Sequence, residues 1–296
     1  MSLNTERFLA DRKNLQVGNG MSAAERILER SGDLAALPHV VFKLLELSAS
    51  TENAAIEIEK VVAVDPGFSA RILGLANSSY YGLARKVTSV RDAVVYLGFK
   101  NIREMALTTG VFDMFVGKND KESLRRRDWW KTSVDAAIAC RFIAGGTASL
   151  IGAEAYTCGL LHYIGKSILD RYSEADYGLV ERQLAAGIPE GTAERNVYGC
   201  DHTDLAIVAG KKWGFPATVV SSASYLEQPE IVDTYDAYRA CVAISNKIAK
   251  MAVNGRVNVE ELPEWAMEHL GIALERKEGL CNEALEKIAA SNGMQF

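Results

Sequence analysis

The sequence predicts an all-α protein, and two observations support this fold class. Apolar residues recur at spacings of three and four along most of the 296-residue chain, which is the period of helices that bury one face. Short stretches rich in Gly, Pro, Asp and Ser separate these segments. The composition, 48% hydrophobic and 24% charged, is that of a globular protein. We therefore expect helices that surround one large core or form two lobes.

Local signals predict where the first helices begin and end. Asp65-Pro66 has the pattern of an N-cap followed by a first-turn proline. Ser89 and Asp92 form a capping-box-like pair at the start of another helix, and Gly98 ends it. Asn77 is expected to end the helix that begins at Pro66, with its side chain bonded to a free backbone group and contributing to a contact between lobes.

The second half of the chain is predicted to be helical as well. A long helix runs from Trp129 to Phe142 and ends at Gly145-Gly146, and a second one runs from about Glu154 to Tyr172 without a break. Further helices are expected at 179–186, 204–213, 217–226, 233–251 and 274–290. The charged run Lys118 to Arg127 is the best candidate for a boundary between two lobes.

Charge and cysteine usage exclude several classes of function. The net charge of -5 and a pI near 5.6 argue against a broadly basic nucleic-acid-binding surface. The five cysteines are odd in number and lie far apart, which argues against a disulfide framework and a thiolate zinc site. No signal peptide or membrane-spanning stretch is apparent. We therefore expect a cytoplasmic protein with reduced thiols, acting neither on nucleic acid nor at a membrane.

The stretch from Leu160 to Lys166 carries the most information about function. It resembles the metal-binding centre of the HD phosphohydrolases, in which a His-Asp doublet stands where this chain has His162-Tyr163. A carboxylate brings charge and oxygen ligands to a divalent cation. A phenol is protonated at neutral pH and fills the volume of the ion. The sequence therefore predicts a phosphohydrolase scaffold that serves a purpose other than hydrolysis.

Several further segments, in a specific order, extend the resemblance. They are Leu37-Pro38, Asp65-Pro66, Leu75 to Ser78, Ala93 to Gly98, Trp130 to Ser133, Leu160 to Gly165, Asp201-His202 and Trp213 to Pro216. Over about residues 33–250 the chain resembles the HDOD family, the HD-related output domains of bacterial signalling proteins. The resemblance implies an all-α, two-lobed fold with an N-terminal helical lobe at about 33–117 and a C-terminal lobe at about 125–250 related to HD phosphohydrolases. We expect an extension at 1–24, the HDOD domain at 25–250 and a helical extension at 251–296.

The resemblance also shows how little of an HD metal site is left. Its first His corresponds to Thr132, the doublet to His162 and Tyr163, and its late Asp to Asn246. One strong ligand of four remains, so we expect neither a bound metal nor another cofactor. His162 is then best interpreted as a hydrogen-bonded core residue.

Two other groups of residues are weaker candidates for a site. Cys200, Asp201 and His202 contain a nucleophile and a base, but close sequence neighbours rarely converge in space, and a helix N-cap at Asp201 or Thr203 is favoured. The second group is a basic-aromatic cluster, Arg125 to Arg127 beside Trp129 and Trp130, of a type that can bind phosphate or stack a base. A solvent-exposed start of a helix, with the two tryptophans turned partly inward, explains the same pattern. The candidate ligand or partner contacts are Arg125, Arg126, Arg127, Trp129, Trp130, His202 and Asn77.

These observations favour a bacterial signalling or regulatory module without catalysis, which binds a signalling protein. Whether it also binds a small ligand, in the cleft between the lobes, is left open by the sequence. A divergent metal-dependent hydrolase using His162, His202 and Asn246 is the first alternative. A helical scaffold that acts as a homo-oligomer is the second. The sequence itself does not identify the partner, the ligand or the input signal.

Overall fold

A computed structural model describes residues 22–31, 39–47, 54–63, 66–78, 81–112, 115, 120–226 and 235–291. These residues form helices and connecting loops and contain no β-strand. The all-α prediction is therefore confirmed. None of the helices in these ranges combines the length and apolar character that crossing a bilayer requires.

The helices follow one another along the chain with short connections. In order they are α1 (22–30), α2 (His39–Glu46), α3 (Ala54–Val62), α4 (Pro66–Ala76), α5 (Val90–Leu97), α6 (Phe99–Phe112), α7 (Asp120–Gly145), α8 (Gly152–Leu161), α9 (Ile164–Arg171), α10 (Tyr177–Ala185), α11 (Glu190–Tyr198), α12 (His202–Lys212), α13 (Ala217–Ser222), α14 (Asp236–Asn254), α15 (Glu264–His269) and α16 (Lys277–Ala290). Short 3₁₀ turns at Val259–Glu261 and Leu274–Arg276 flank α15.

The local start and stop signals operate as predicted. The Ser89 hydroxyl accepts a hydrogen bond from the Asp92 amide at 3.0 Å and begins α5, which ends at Gly98 with φ +83°. Helix α4 begins at Pro66, while Asp65 lies outside the described residues. Such caps satisfy amides and carbonyls that a helix end leaves without partners. Helix boundaries set by these short-range bonds could therefore be predicted from the sequence.

Two predictions about helices need correction. The single helix expected from Glu154 to Tyr172 is two helices, α8 and α9, separated by a turn at His162 and Tyr163. The helix expected from Trp129 begins earlier, at Asp120, so residues 120–127 of the charged run form its first turns. Helices α1, α11 and α15 were not predicted. Helix α11 has few apolar residues, so it lacks a strong periodic pattern.

The chain forms two compact units. The first comprises residues 1–36 and 163–214 and includes α1 and α9 to α12; the second comprises residues 37–162 and 215–296. Both sides of the charged run belong to the second unit. In that unit α7, α8 and α14 pack against one another. Gly159 permits this approach, since a β-carbon there would lie 2.7 Å from the Ala137 Cα of α7.

Asn77 ends α4 by bonding to backbone groups, as predicted. Its amide nitrogen donates to the Leu73 and Val87 carbonyls at 2.9 Å each, and its Oδ1 accepts from the Val87 amide at 2.8 Å. All of these partners lie within the predicted N-terminal lobe. These hydrogen bonds fix the segment after α4, and the expected contact between lobes stays a prediction.

All five cysteines are free and buried. Burial raises the pKa of the Cys158 thiol, and burial together with Asp204 and Asp201 raises the pKa of Cys200 to about 12. A raised pKa keeps a thiol protonated, and the thiolate is the reactive form. We expect the thiol reagent 5,5′-dithiobis(2-nitrobenzoic acid), at about pH 8, to leave the thiols of the native protein unmodified. After denaturation the same reagent should release five equivalents of thionitrobenzoate per chain, one for each cysteine. Rapid labelling of the native protein would contradict this arrangement.

Candidate functional site

His162 and Tyr163 lie in the turn between α8 and α9, and their side chains contact different sets of residues. Tyr163 has φ -95° and ψ 10°, so the backbone departs from helical geometry at this residue. His162 belongs to the second compact unit and Tyr163 to the first. The two positions that form a ligand doublet in HD enzymes therefore belong to different compact units in this chain.

His162 is buried at the end of α8, where it is held by its own helix and by α14. Its Nδ1 lies 2.6 Å from the Gly159 carbonyl oxygen, and its Nε2 lies 3.3 Å from Oδ1 of Asn246. The Tyr225 ring meets the imidazole edge-on, with 5.2 Å between ring centroids. The structure thus brings together His162 and Asn246, two of the four positions assigned by resemblance to an HD metal site.

The bonds around the imidazole define its chemistry. The Gly159 carbonyl can only accept, so Nδ1 carries a proton and donates to it. In a neutral ring Nε2 is then an acceptor, and a half-turn of the Asn246 amide places its NH₂ group where it can donate to that nitrogen. The nitrogen that would ligate a metal is thus engaged by a neutral amide.

Thr132 lies on α7 and is also buried. Its hydroxyl donates to the Asp128 carbonyl of its own helix at 2.8 Å. A hydroxyl that bonds to the preceding turn is oriented along its helix and is a weak metal ligand. In the part of the chain that the structure describes, no three His, Cys, Asp or Glu residues gather closely enough to hold a metal ion. The assigned positions therefore supply an imidazole, an amide and a hydroxyl here, each already in a hydrogen bond to another protein group.

Tyr163 contributes to a buried network in the first compact unit. The Tyr163 ring lies edge-on to His202, with centroids 5.7 Å apart, and the ammonium group of Lys166 lies 3.8 Å from the Tyr163 centroid. This is the distance of a cation–π contact. Lys166 also forms an ion pair with Glu190 of α11. The phenol therefore has a packing role that a carboxylate could not fulfil.

Glu194 is the centre of the same network, and sequence reasoning missed it. One of its oxygens accepts from Nδ1 of His202 at 2.5 Å and from the His202 amide at 2.9 Å; the other accepts from the Tyr177 hydroxyl at 2.8 Å. Burial, followed by the nearby charge of Glu194, raises the pKa of Tyr177 well above its usual value. Glu194 and His202 side chains have no exposed surface. His202 therefore belongs to a core network and does not form a partner-facing surface.

Asp201 is a helix cap, as favoured by the sequence. Its side chain accepts from the amides of Thr203 and Asp204 at 2.8 and 2.9 Å, and the Asp204 carboxylate accepts from the Asp201 amide. These bonds form a reciprocal capping box. Cys200 is buried with a raised pKa. The group from Cys200 to His202 therefore does not have the geometry of a nucleophile and its base.

The basic-aromatic cluster divides between the core and the surface. Arg126 and Trp130, one helical turn apart, are buried, and the Trp130 ring contacts Phe112 edge-on with centroids 5.4 Å apart. Arg127 is exposed, while Arg125 and Trp129 are half-buried. The cluster therefore does not present three arginines and two tryptophans on one face.

Comparison with known proteins supports the family resemblance. The family model described as HDOD domain matches residues 34–229. A curated relative, an uncharacterized protein of Treponema pallidum (strain Nichols), is 23% identical over 259 residues, which cover 86% of this chain and 49% of the relative. The chain thus spans about half the length of that relative.

Solved structures share the fold. An HDOD domain protein of unknown function from Geobacter sulfurreducens is 21% identical, with a TM-score of 0.77, and the match covers 94% of this chain and 99% of the other. A candidate phosphohydrolase from Shewanella amazonensis SB2B is 23% identical, with a TM-score of 0.68 and coverage of 90% and 97%. At these identities the likeness concerns the fold alone. Because the family model covers well over half of the sequence, this chain belongs to the HDOD family.

Proposed function

We propose that this protein is a non-catalytic regulatory module of bacterial signal transduction, which acts in the cytoplasm by binding a protein partner. The observation that carries the proposal is the engagement of His162 by the Gly159 carbonyl and the Asn246 amide. An imidazole fixed in this way is a structural core residue. The HDOD fold is then a frame that presents surfaces to other proteins.

The chemistry of the four assigned positions supports this function over hydrolysis. HD-type hydrolysis requires a cation held by several imidazoles and carboxylates, which lowers the pKa of bound water. Here the four positions supply an imidazole, a phenol, a hydroxyl and an amide at His162, Tyr163, Thr132 and Asn246. None of the three replacements carries a negative charge at neutral pH. A divalent cation would therefore lack the charge compensation that holds it.

Metal content and turnover, measured on the same sample, test the proposal. We expect purified protein, dialysed against excess Mn²⁺ or Zn²⁺ and then desalted, to contain much less than one metal ion per chain by plasma mass spectrometry. It should not hydrolyse nucleotides or p-nitrophenyl phosphate above the rate of a buffer control containing the same metal. His162→Ala should then leave that background unchanged.

The opposite result would identify the protein as a divergent hydrolase. Stoichiometric metal with turnover that His162→Ala abolishes would overturn the proposal. Turnover that persists in His162→Ala would indicate a contaminating enzyme, and a further purification step would remove it. Light scattering over a range of concentrations would show whether the active form is a monomer or a homo-oligomer.

A further inference from the structure

The second compact unit contains a cavity of about 610 Å³ whose lining does not include His162 or Asn246. Its lining comes from the end of α2, the start of α6, α8 and α13, and the residue before α14. A cavity of this size accommodates a small organic molecule. It is therefore large enough for a ligand of its own.

Most of the wall is apolar, and part of that apolar surface faces solvent. The apolar lining includes Phe99, Ile151, Pro216, Ala217, Val219 and Tyr235. Ile151 is 57% exposed and Tyr235 is 37% exposed, which is high for large apolar side chains. Exposed apolar surface at the rim of a concave site is a common feature of ligand-binding clefts. The body of a ligand here would be apolar.

Two cations from one face of α6 line the same cavity. Lys100 is exposed, and among the described residues no carboxylate lies within ion-pairing distance of it. Arg103 is anchored by its Nε, which donates to the Leu44 carbonyl at 2.7 Å, and by one terminal nitrogen, which donates to the Leu45 carbonyl at 3.2 Å. The second terminal nitrogen has no hydrogen-bond acceptor in the described parts of the chain. Burial lowers the pKa of Arg103, while the charges of Glu104 and Glu154 act in the opposite direction.

The two carboxylates at the cavity already have partners. Glu154 accepts a hydrogen bond from the Tyr238 hydroxyl at 2.8 Å, and Glu46 forms an ion pair with Lys43 at 3.3 Å. An incoming anion would therefore meet Lys100 at the surface and Arg103 in a partly desolvated setting, where charge interactions are stronger than in bulk water. Guanidinium N–H groups are well suited to carboxylate, sulfonate and phosphate oxygens.

From this arrangement we infer that the cavity is a binding site for an amphipathic organic anion, which places its acidic group against Lys100 and Arg103 and its apolar body against α8 and α13. The inference does not depend on the proposed binding of a protein partner. A titration of the isolated protein with a small ligand tests the cavity alone.

A matched pair of fluorescent probes tests the inference. 8-Anilinonaphthalene-1-sulfonate carries an acidic group, and N-phenyl-1-naphthylamine is the same molecule without it. We expect the sulfonate to saturate one site per folded chain and to bind at least about tenfold more tightly than the neutral probe, as one favourable charge contact can provide. Equal affinity of the two probes would overturn the inference that the site selects anions.

Charge variants at the cavity give opposite expected results. Lys100→Glu should weaken sulfonate binding about tenfold and leave the neutral probe unaffected, whereas Glu154→Gln should strengthen sulfonate binding severalfold. Lys86→Glu, an exposed charge reversal outside the cavity, is the matched control and should bind as the wild type does.

A variant that fills the cavity tests the location. Ala217 is exposed on the cavity wall, so Ala217→Trp should abolish binding of both probes and retain the helical circular dichroism of the wild type. If Lys100→Glu and Ala217→Trp both bind the sulfonate as the wild type does, the probe binds elsewhere and the site is rejected. Lys100→Glu alone still decides the matter if Ala217→Trp does not fold.

Discussion

Gly165→Ala is expected to destabilise the protein by about 3 kcal/mol, because the added methyl group meets a fixed backbone. A β-carbon at Gly165 would lie 1.9 Å from the carbonyl oxygen of His202 and 2.8 Å from its carbonyl carbon. Relief requires a shift of α9 against α12, whose first residue is held by the Glu194 network. The change would be measured as a lower midpoint of urea unfolding, followed by circular dichroism.

Gly74→Ala is the matched control for this substitution. Gly74 lies within α4, and a β-carbon there would have nothing within 4 Å. Alanine in an unobstructed helical position is favoured over glycine by about 0.5–1 kcal/mol, so this variant should be slightly more stable than the wild type. If both variants lose stability to the same extent, the close approach of α9 and α12 is not the cause.

The same contact illustrates what the sequence could and could not predict. Ser89, Gly98 and Asp201 mark helix ends through hydrogen bonds to backbone groups within a few residues, so their roles follow from local sequence. The turn at His162 and Tyr163 has no such mark. Apolar residues continue at helical spacing on both sides of it, and the close approach of Gly165 to His202 just after the turn joins residues that are distant in sequence.

Some features of the candidate site could likewise be predicted from the sequence, and others could not. The pairing of His162 with Asn246 was predicted through the family resemblance, which carries information on tertiary contacts that spacing does not. The role of Glu194 was not predicted, because helix α11 is polar overall and its one buried acid is not distinguished from exposed ones by sequence. The cavity beside α6 was also missed, since it is lined by residues from several separate segments.

Glu194→Ala is expected to cost about 3 kcal/mol or more, because it removes the acceptor of several buried hydrogen-bond donors at once. The substitution leaves the imidazole and amide of His202 and the hydroxyl of Tyr177 without the acceptor that each now has. Buried donors without acceptors retain their full desolvation penalty. Urea unfolding again provides the measurement, and Glu174→Ala is the control, because the pair of Glu174 with Arg30 lies on the surface.

A double-mutant cycle separates the network from the general cost of a core substitution. If Glu194 and His202 act as one unit, the combination of Glu194→Ala with His202→Ala should cost less than the sum of the two single changes by more than about 1 kcal/mol. The reason is that removal of both partners eliminates the unsatisfied group that each single variant leaves behind. Additive effects would mean that the 2.5 Å contact between Glu194 and His202 contributes little to stability.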